Sequence, residues 1–251
     1  MNVHAAAQAS TLPAARARVG LIIPAVNTMS EPQFNHFAPE GLGIFVTRAR
    51  VAGKWRRPVA QMADEVRHTA ALLSDSSPDL IVFHCTDSSM QEGPAGEKRL
   101  LDLIHDETRL PALSTSRLVA DAFDVLGIKS VVLLTPYVSN DNIIRYLTES
   151  GIKVVHDVKL GLTPQGFTEV TPQQWVALAR EHDRPDADGI FLSCTNTTQI
   201  EAIAEIERTL GKPVVNSNQA VLFGCVKRLK STLAPLPPMP ALGRLMRQLD
   251  A

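Results

Sequence analysis

Two cysteines occupy similar sequence surroundings, and a pair of thiols at one carbon can perform nucleophilic and acid–base chemistry. Cys85 lies in DLIVFHCTDSSM, residues 79–90, and Cys194 lies in DGIFLSCTNTTQI, residues 188–200. Each ends a short apolar run and precedes a threonine. We expect a helix to begin at each threonine, so that its unpaired N–H groups and its dipole lower the thiol pKa from about 8.5 and attract a carboxylate. The pair is the candidate catalytic centre.

Five polar residues near the ends of predicted strands are candidate substrate ligands. Asn27 follows the first apolar run in PAVNTMSEP, where it either closes an Asx turn or donates to a carboxylate or enolate oxygen. The phenol of Tyr137, in LLTPYVSND, can donate to the same oxygens. Thr86, Thr195 and Asn196 can cap helices and also bind a ligand.

Two neighbouring candidates are better explained by packing. His84 directly precedes Cys85, and consecutive side chains of a strand point to opposite faces. We therefore expect His84 to be packed in the core and not to serve as the base for Cys85. Cys225 lies among apolar residues in AVLFGCVKRL, which is typical of a core thiol inside a helix.

Composition excludes several classes of function. The chain has 251 residues, 45% of them hydrophobic, and a net charge of −1, which favours neither nucleic acid nor an anionic membrane. The densest basic stretch, KWRRP at 54–58, is expected to be a solvated loop. No apolar run approaches the roughly 20 residues that span a bilayer. The cysteines lack CxxC spacing, so we expect no disulfide framework and a reducing cytoplasm.

Motifs for metals and nucleotides are absent from the sequence. The histidines show no HExxH spacing, and neither GxGxxG nor GxxxxGK[ST] occurs. The sequence therefore predicts no metal and no nucleotide cofactor.

Short apolar runs alternate with segments of helical period, which indicates an α/β protein with mainly parallel sheets. Several helical segments close on a glycine, as at Gly127, Gly151 and Gly211. Eight strands are predicted, at 18–24, 43–51, 79–85, 110–115, 129–136, 152–158, 188–194 and 212–217.

The second four predicted strands repeat the first four. VGLIIP corresponds to VVLLTP, the two cysteine strands correspond, and LPALSTSRLV corresponds to KPVVNSNQAV. The matched residues are separated by about a hundred positions each time, which is the signature of internal duplication. The matched pairs are Pro24 with Pro136, Cys85 with Cys194, and Pro111 with Pro213.

The duplication predicts two pseudo-symmetric, doubly wound lobes, each with a mainly parallel four-stranded sheet. We divide the chain into a disordered leader (1–17), an N-terminal lobe (18–127), a C-terminal lobe (128–225), and a return helix with a tail (226–251). Parallel α/β sheets bind ligands at the carboxyl ends of their strands. Both cysteines lie at such ends, so we expect one active site in the cleft between the lobes.

The quoted motifs resemble those of the Asp/Glu racemase superfamily, and within it the maleate cis–trans isomerases and their arylmalonate decarboxylase relatives. GLIIPAVNT, VFHCTDSS, LLTPY and LSCTNTTQIEAIAEIERTLGKPVV carry the resemblance, which runs from about 18 to 228. It implies a cofactor-independent enzyme with a two-lobed fold. It also implies a small dicarboxylate or related acid as substrate, and we expect a homo-oligomer.

The resemblance also implies roles for individual residues. The related decarboxylases keep only the second cysteine, whereas this chain has both, which favours an isomerase of maleate or a closely related enedioate. Cys85 would be the nucleophile and Cys194 would supply or remove the proton. Asn27 and Tyr137 would hold the substrate carboxylate.

Three alternatives stay open: a racemase that uses the two cysteines as acid and base, an arylmalonate-type decarboxylase, and a non-catalytic small-molecule binding module. Two features depart from the resemblance. Asp87 stands where a small neutral residue is expected, and it would repel a dianion and raise the thiol pKa unless it points away or is paired. The loop LGLTPQGFTEV, 160–170, has Gln165 but lacks the asparagine expected to bind substrate there.

Overall fold

A computed structural model describes residues 15–249. Most of the predicted leader, residues 1–14, lies outside the described residues. The predicted leader is wrong at its end, because Ala17 already belongs to the first strand and pairs with Leu42. No helix in the described part of the chain is long and apolar enough to cross a membrane.

The first half forms a four-stranded parallel sheet with strand order β2-β1-β3-β4. Its strands are β1 (Ala17–Pro24), β2 (Leu42–Ala49), β3 (Leu80–Phe83) and β4 (Ala112–Ser114). Its helices are α1 (Ser30–Phe37), α2 (Val59–Ser74), α3 (Thr86–Met90), α4 (Gly93–Thr108) and α5 (Thr115–Leu126).

The second half repeats this topology, with parallel strand order β6-β5-β7-β8. All eight predicted strands are therefore confirmed, and so is the pair of doubly wound, pseudo-symmetric sheets. The strands are β5 (Ser130–Thr135), β6 (Lys153–Lys159), β7 (Gly189–Leu192) and β8 (Val214–Asn216). The helices are α6 (Asp141–Glu149), α7 (Pro172–His182), α8 (Ile203–Leu210), α9 (Ser217–Arg228), α10 (Lys230–Leu233) and α11 (Gly243–Arg247).

Equivalent local signals begin the central helix of each half. Ser114 caps α5 by accepting a hydrogen bond from the backbone N–H of Arg117. Asn216 occupies the matched position and caps α9, with Gln219 completing a capping box. Such caps satisfy backbone N–H groups that have no partner within the helix.

The two halves share one apolar core. Residues of β1, such as Leu21, belong to the same cluster as Val132 of β5 and Phe191 of β7. The predicted boundary at 127 falls at the end of α5, whereas the boundary at 225 falls inside α9. α11 packs against α5 as well as α8, so the end of the chain contacts both halves. The four-segment division, the homo-oligomer and the cytoplasmic location stay predictions.

Candidate active site

A cavity of about 450 Å³ lies where the carboxyl ends of the two sheets meet. Residues that follow β1, β3, β5 and β7 contribute to its wall. Six of the seven predicted site residues line it, and they are Asn27, Cys85, Tyr137, Cys194, Thr195 and Asn196. The fold therefore brings both predicted thiols to one space, which is the arrangement that two-thiol chemistry requires.

Cys85 follows β3, directly before α3, and is 5% exposed. Its Sγ donates to Ser88 Oγ at 3.2 Å, and Ser88 in turn donates to the carbonyl of Val51 at 2.6 Å. Burial raises the pKa of the Cys85 thiol to about 11, Asp87 adds to the rise, and Ser88 and Arg56 oppose it. In this state Cys85 is a thiol whose hydrogen is held by Ser88.

Cys194 follows β7 and is 4% exposed. Its Sγ accepts from the backbone N–H of Asn196 at 3.3 Å. Burial raises the pKa of the Cys194 thiol to about 12, and the Tyr137 phenol and the Asn196 N–H oppose the rise. The sulfur thus accepts one backbone hydrogen bond while its own hydrogen has no acceptor among residues 15–249, so that hydrogen is free to go to a bound substrate.

The expected lowering of the thiol pKa by helix N-termini is wrong. α3 does begin at Thr86, but it has five residues. After Cys194 the chain turns through 195–198 and then forms a 3₁₀ helix at Gln199–Ala202 before α8 begins. Desolvation of both sulfurs therefore outweighs the local backbone donors, and both pKa values move up.

Asn27 holds the two halves together. Its Oδ1 accepts from the backbone N–H groups of Met29 and Ser30. Its Nδ2 donates to Ser30 Oγ, Thr195 O and Thr195 Oγ1 at 2.9, 3.2 and 3.1 Å. Both N–H donors of the Asn27 amide are therefore engaged. Together with the bonds to Oδ1, this corresponds to the Asx turn that the sequence offered as one alternative. Asn27 lines the cavity, but the expectation of a free donor for substrate is wrong.

Asn196 supplies the free amide donor that was expected from Asn27. Its Oδ1 accepts from the backbone N–H of Thr28 at 2.9 Å, which fixes the orientation of the amide. Its Nδ2 has no hydrogen-bond partner within residues 15–249 and belongs to a residue of the cavity wall. Thr195 Oγ1 accepts from Asn27 and keeps its own hydrogen for a ligand.

Thr86 does not line the cavity, so its predicted contact with substrate is wrong. It is 1% exposed, and its Oγ1 donates to Ser217 Oγ at 2.8 Å. Ser217 is the first residue of α9 in the other half of the chain. The side chain therefore joins the halves behind the site.

The two packing interpretations are confirmed. His84 is fully buried; its Nδ1 lies 3.1 Å from Thr115 Oγ1 and its ring packs on the edge of Phe34. Burial lowers the pKa of His84 to about 3, which keeps the ring neutral. Cys225 is fully buried within α9, and burial raises the pKa of its thiol to about 12.

Charged residues of the wall were partly missed from the sequence. Lys54 and Arg56 line the cavity, and both are also exposed to solvent, as the interpretation of KWRRP as a solvated loop expects. Asp87 also lines the cavity, and its Oδ2 lies 3.3 Å from Arg56 Nη1. Burial raises the pKa of Asp87 and Arg56 opposes the rise. The carboxylate noted at Asp87 is thus paired with Arg56, and it still lines the cavity.

The rest of the wall is mainly apolar. Leu162 and Phe167 come from the loop 160–168, while Val26 and Val138 follow β1 and β5 at the rim. Gln165 is not part of the wall, although its neighbour Pro164 is. The apolar composition of LGLTPQGFTEV was the signal in the sequence for this surface.

The sequence profile of the arylmalonate decarboxylase family matches residues 19–242. This match covers most of the chain. The protein belongs to the arylmalonate decarboxylase family. The resemblance predicted from the sequence motifs is thereby confirmed.

Relatives of this family member include both isomerases and decarboxylases. Maleate isomerase of Geobacillus stearothermophilus is 26% identical over 230 residues, which cover 84% of this chain and 91% of that protein. Arylmalonate decarboxylase of Bordetella bronchiseptica is 32% identical over 152 residues, which cover 57% of this chain and 61% of that protein.

A solved structure confirms the fold of this family member. It is a cysteine-to-serine mutant of Nocardia farcinica maleate cis–trans isomerase with a covalently bound succinylcysteine intermediate. It superposes with a TM-score of 0.82 at 22% identity, over 92% of this chain and 98% of that one.

No group of three or more His, Cys, Asp or Glu residues that could hold a metal ion occurs between residues 15 and 249. The groups that can take part in a reaction are the two thiols, the Tyr137 phenol and the amide of Asn196. Such a set can add a nucleophile to carbon, move a proton and bind a carboxylate.

Proposed function

We propose that this family member is a cofactor-independent cis–trans isomerase of maleate or a closely related enedioate. The observation that carries the proposal is that Cys85 and Cys194 line one cavity from opposite halves of the chain. The similarity to maleate isomerase along most of the chain supports it.

The reaction requires a double bond to become single for long enough to rotate. The Cys85 thiolate adds to C2 of the substrate, and the π electrons move onto C3 and its carboxylate as an enediolate. Rotation about C2–C3 and expulsion of the thiolate then restore the double bond in the trans geometry. Covalent addition replaces one forbidden rotation by two feasible steps.

The surroundings of the two sulfurs suit different tasks. Arg56 lowers the pKa of the Cys85 thiol, which favours Cys85 as the thiolate. Cys194 accepts the Asn196 N–H and keeps its own hydrogen free, so it can protonate C3 and later remove that proton. Asn196 and Thr195 line the cavity with free donors, which supports binding of a substrate carboxylate by these two residues.

A second candidate is decarboxylation of a disubstituted malonate. The apolar wall formed by Val26, Val138, Leu162 and Phe167 favours it, because such a wall fits a large apolar substituent. The similarity to arylmalonate decarboxylase points the same way. In that reaction Cys194 would protonate the carbanion, and Cys85 would have no assigned task.

Proton NMR in D₂O distinguishes the candidates. With maleate, an isomerase converts the vinyl signal into that of fumarate; with 2-methyl-2-phenylmalonate, a decarboxylase yields 2-phenylpropionate and carbon dioxide. With aspartate or glutamate, a racemase exchanges the Cα proton for deuterium. We expect isomerisation, and we expect Cys85→Ala and Cys194→Ala each to abolish it while Cys225→Ala retains it. Full activity in either of the first two variants would rule out two-thiol catalysis.

A further inference from the structure

The cavity wall contains a carboxylate that has no role in the isomerisation. Asp87 lies two residues after Cys85, and its side chain is 23% exposed. Its ion pair with Arg56 is held in place because Arg56 Nε donates to Gln91 Oε1 at 3.3 Å and Gln91 Nε2 donates to Arg57 O at 3.0 Å. The carboxylate is therefore a fixed acceptor in the wall.

The charges of the wall do not match a dianion. Its ionisable cationic and anionic side chains, other than the two thiols and Tyr137, are Lys54, Arg56 and Asp87. Their formal sum is a single positive charge. Arg56 already pairs with Asp87 through Nη1 and donates to Gln91 through Nε, so part of its charge is offset before a substrate binds. A carboxylate bound by Asn196 and Thr195 meets free hydrogen-bond donors, whereas a second carboxylate beside Asp87 would face a like charge.

We propose that the preferred substrate is a monoanionic enedioate derivative in which a neutral N–H donor, a carboxamide, replaces one carboxylate. Asp87 accepts a hydrogen bond from this N–H group, while Asn196 and Thr195 bind the remaining carboxylate. This inference rests on the proposed isomerase function and narrows its substrate class.

The chemistry balances with an amide in that position. The Cys85 sulfur forms a bond to one vinylic carbon, and the π pair moves onto the other carbon and its carbonyl. After rotation the same pair re-forms the double bond and the sulfur leaves with its electrons. No oxidant or further reactant is consumed. Addition of a thiolate to maleate gathers three negative charges in a low-dielectric cavity, whereas addition to its monoamide gathers two.

The test compares maleate with its monoamide, maleamate, by proton NMR at neutral pH. We expect the wild type to show at least tenfold higher kcat/KM for maleamate. Asp87→Ser removes the carboxylate acceptor and its negative charge, so the ratio of the two kcat/KM values should fall at least tenfold. Asp64→Ser is the matched control, because Asp64 lies on an exposed face of α2 and should leave the ratio unchanged.

A second variant, Asp87→Asn, keeps the test valid if Asp87→Ser does not fold. Asp87→Asn is nearly isosteric and keeps a carbonyl acceptor while it removes the negative charge. We expect its ratio to fall because turnover of maleate rises and turnover of maleamate is largely retained. A wild-type preference for maleate, or a ratio that neither Asp87 variant moves, would overturn the inference.

Binding separates this inference from the proposed reaction. Cys85→Ser should bind maleamate more tightly than maleate in a calorimetric titration, and Cys85→Ser with Asp87→Ser should lose that preference. If neither compound is isomerised by the wild type but the binding preference follows Asp87, the isomerase proposal fails and the substrate inference stands. If both compounds are isomerised and maleate is preferred, the isomerase proposal stands and the substrate inference fails.

Discussion

Tyr137 and Cys194 line the same cavity, and the Tyr137 phenol opposes the rise of the Cys194 thiol pKa. The two residues follow β5 and β7, neighbouring strands of the second sheet, so the sheet itself fixes their separation. Tyr137 is held from the other side by edge-to-face packing on Phe167, with ring centroids 5.5 Å apart. The phenol is therefore positioned to stabilise negative charge on this sulfur.

We expect Tyr137→Phe to lower kcat about ten- to hundredfold, which corresponds to the loss of about 1.5–3 kcal/mol from a hydrogen bond to a charged group. The Phe167 contact is retained, so stability should change little. Steady-state kinetics and thermal unfolding measure the two effects. An unchanged kcat would mean that the phenol does not act on the reacting sulfur.

The pH dependence follows from the buried thiols. Burial raises the pKa of Cys85 to about 11, so at neutral pH the nucleophile is almost entirely protonated. The reactive thiolate increases with pH, and we expect kcat/KM of the proposed isomerase to rise between pH 6 and 10, close to tenfold per pH unit. A profile that levels off below pH 8 would contradict the high thiol pKa in the free enzyme.

Cys225 offers a test of the same burial effect on stability alone. Its thiol pKa is raised to about 12 in the folded protein, whereas an unfolded cysteine titrates near 8.5. Above pH 9 the unfolded chain loses this proton first, so its contribution to stability is present below that pH and is lost as the pH rises.

The measurement compares wild type with Cys225→Ala in urea at several pH values. The free energy of unfolding of the wild type, minus that of Cys225→Ala, should decrease by about 1.4 kcal/mol per pH unit between about pH 9 and 11. Subtracting the variant removes the effect of all other groups. A difference that does not vary with pH would show that the thiol ionises equally in both states.

Asn27 and Asn196 should respond differently to substitution. Asn27→Ala leaves buried N–H groups of Met29 and Ser30 without their acceptor, so we expect the free energy of unfolding to fall by about 1–3 kcal/mol. Asn196→Asp keeps the acceptor for Thr28 but replaces the free N–H donors by a negative charge. It should therefore raise KM for an anionic substrate at least tenfold. Denaturation measures the stability of each variant, and steady-state kinetics measures its KM. A raised KM in Asn27→Ala together with lost stability in Asn196→Asp would contradict these roles.

Thr86→Val tests the correction to the predicted substrate contacts. Removal of the hydroxyl breaks the hydrogen bond to Ser217 across the two halves, so the free energy of unfolding should fall by about 0.5–1.5 kcal/mol. KM for the substrate should be unchanged, because Thr86 does not line the cavity. An increase in KM without loss of stability would restore Thr86 as a ligand of the substrate.

The sequence by itself determined the eight strands, their duplicated order and the position of both cysteines at carboxyl ends of strands. These features depend on local properties: apolar runs buried on both faces, helix caps such as Ser114 and Asn216, and glycines such as Gly127 at helix ends. Because parallel sheets present the carboxyl ends of their strands at one edge, the meeting of Cys85 and Cys194 followed from topology alone.

Only the tertiary structure decided the environment of those sulfurs. Burial raises both thiol pKa values. The sequence had predicted lowered values, because a helix was expected to begin directly after each cysteine. Asn27 donates to Thr195, 168 positions away, and Asp87 of α3 is paired with Arg56 from the segment that precedes α2. Desolvation and contacts between distant segments depend on how the two halves pack together, and no pattern of neighbouring residues contains that information.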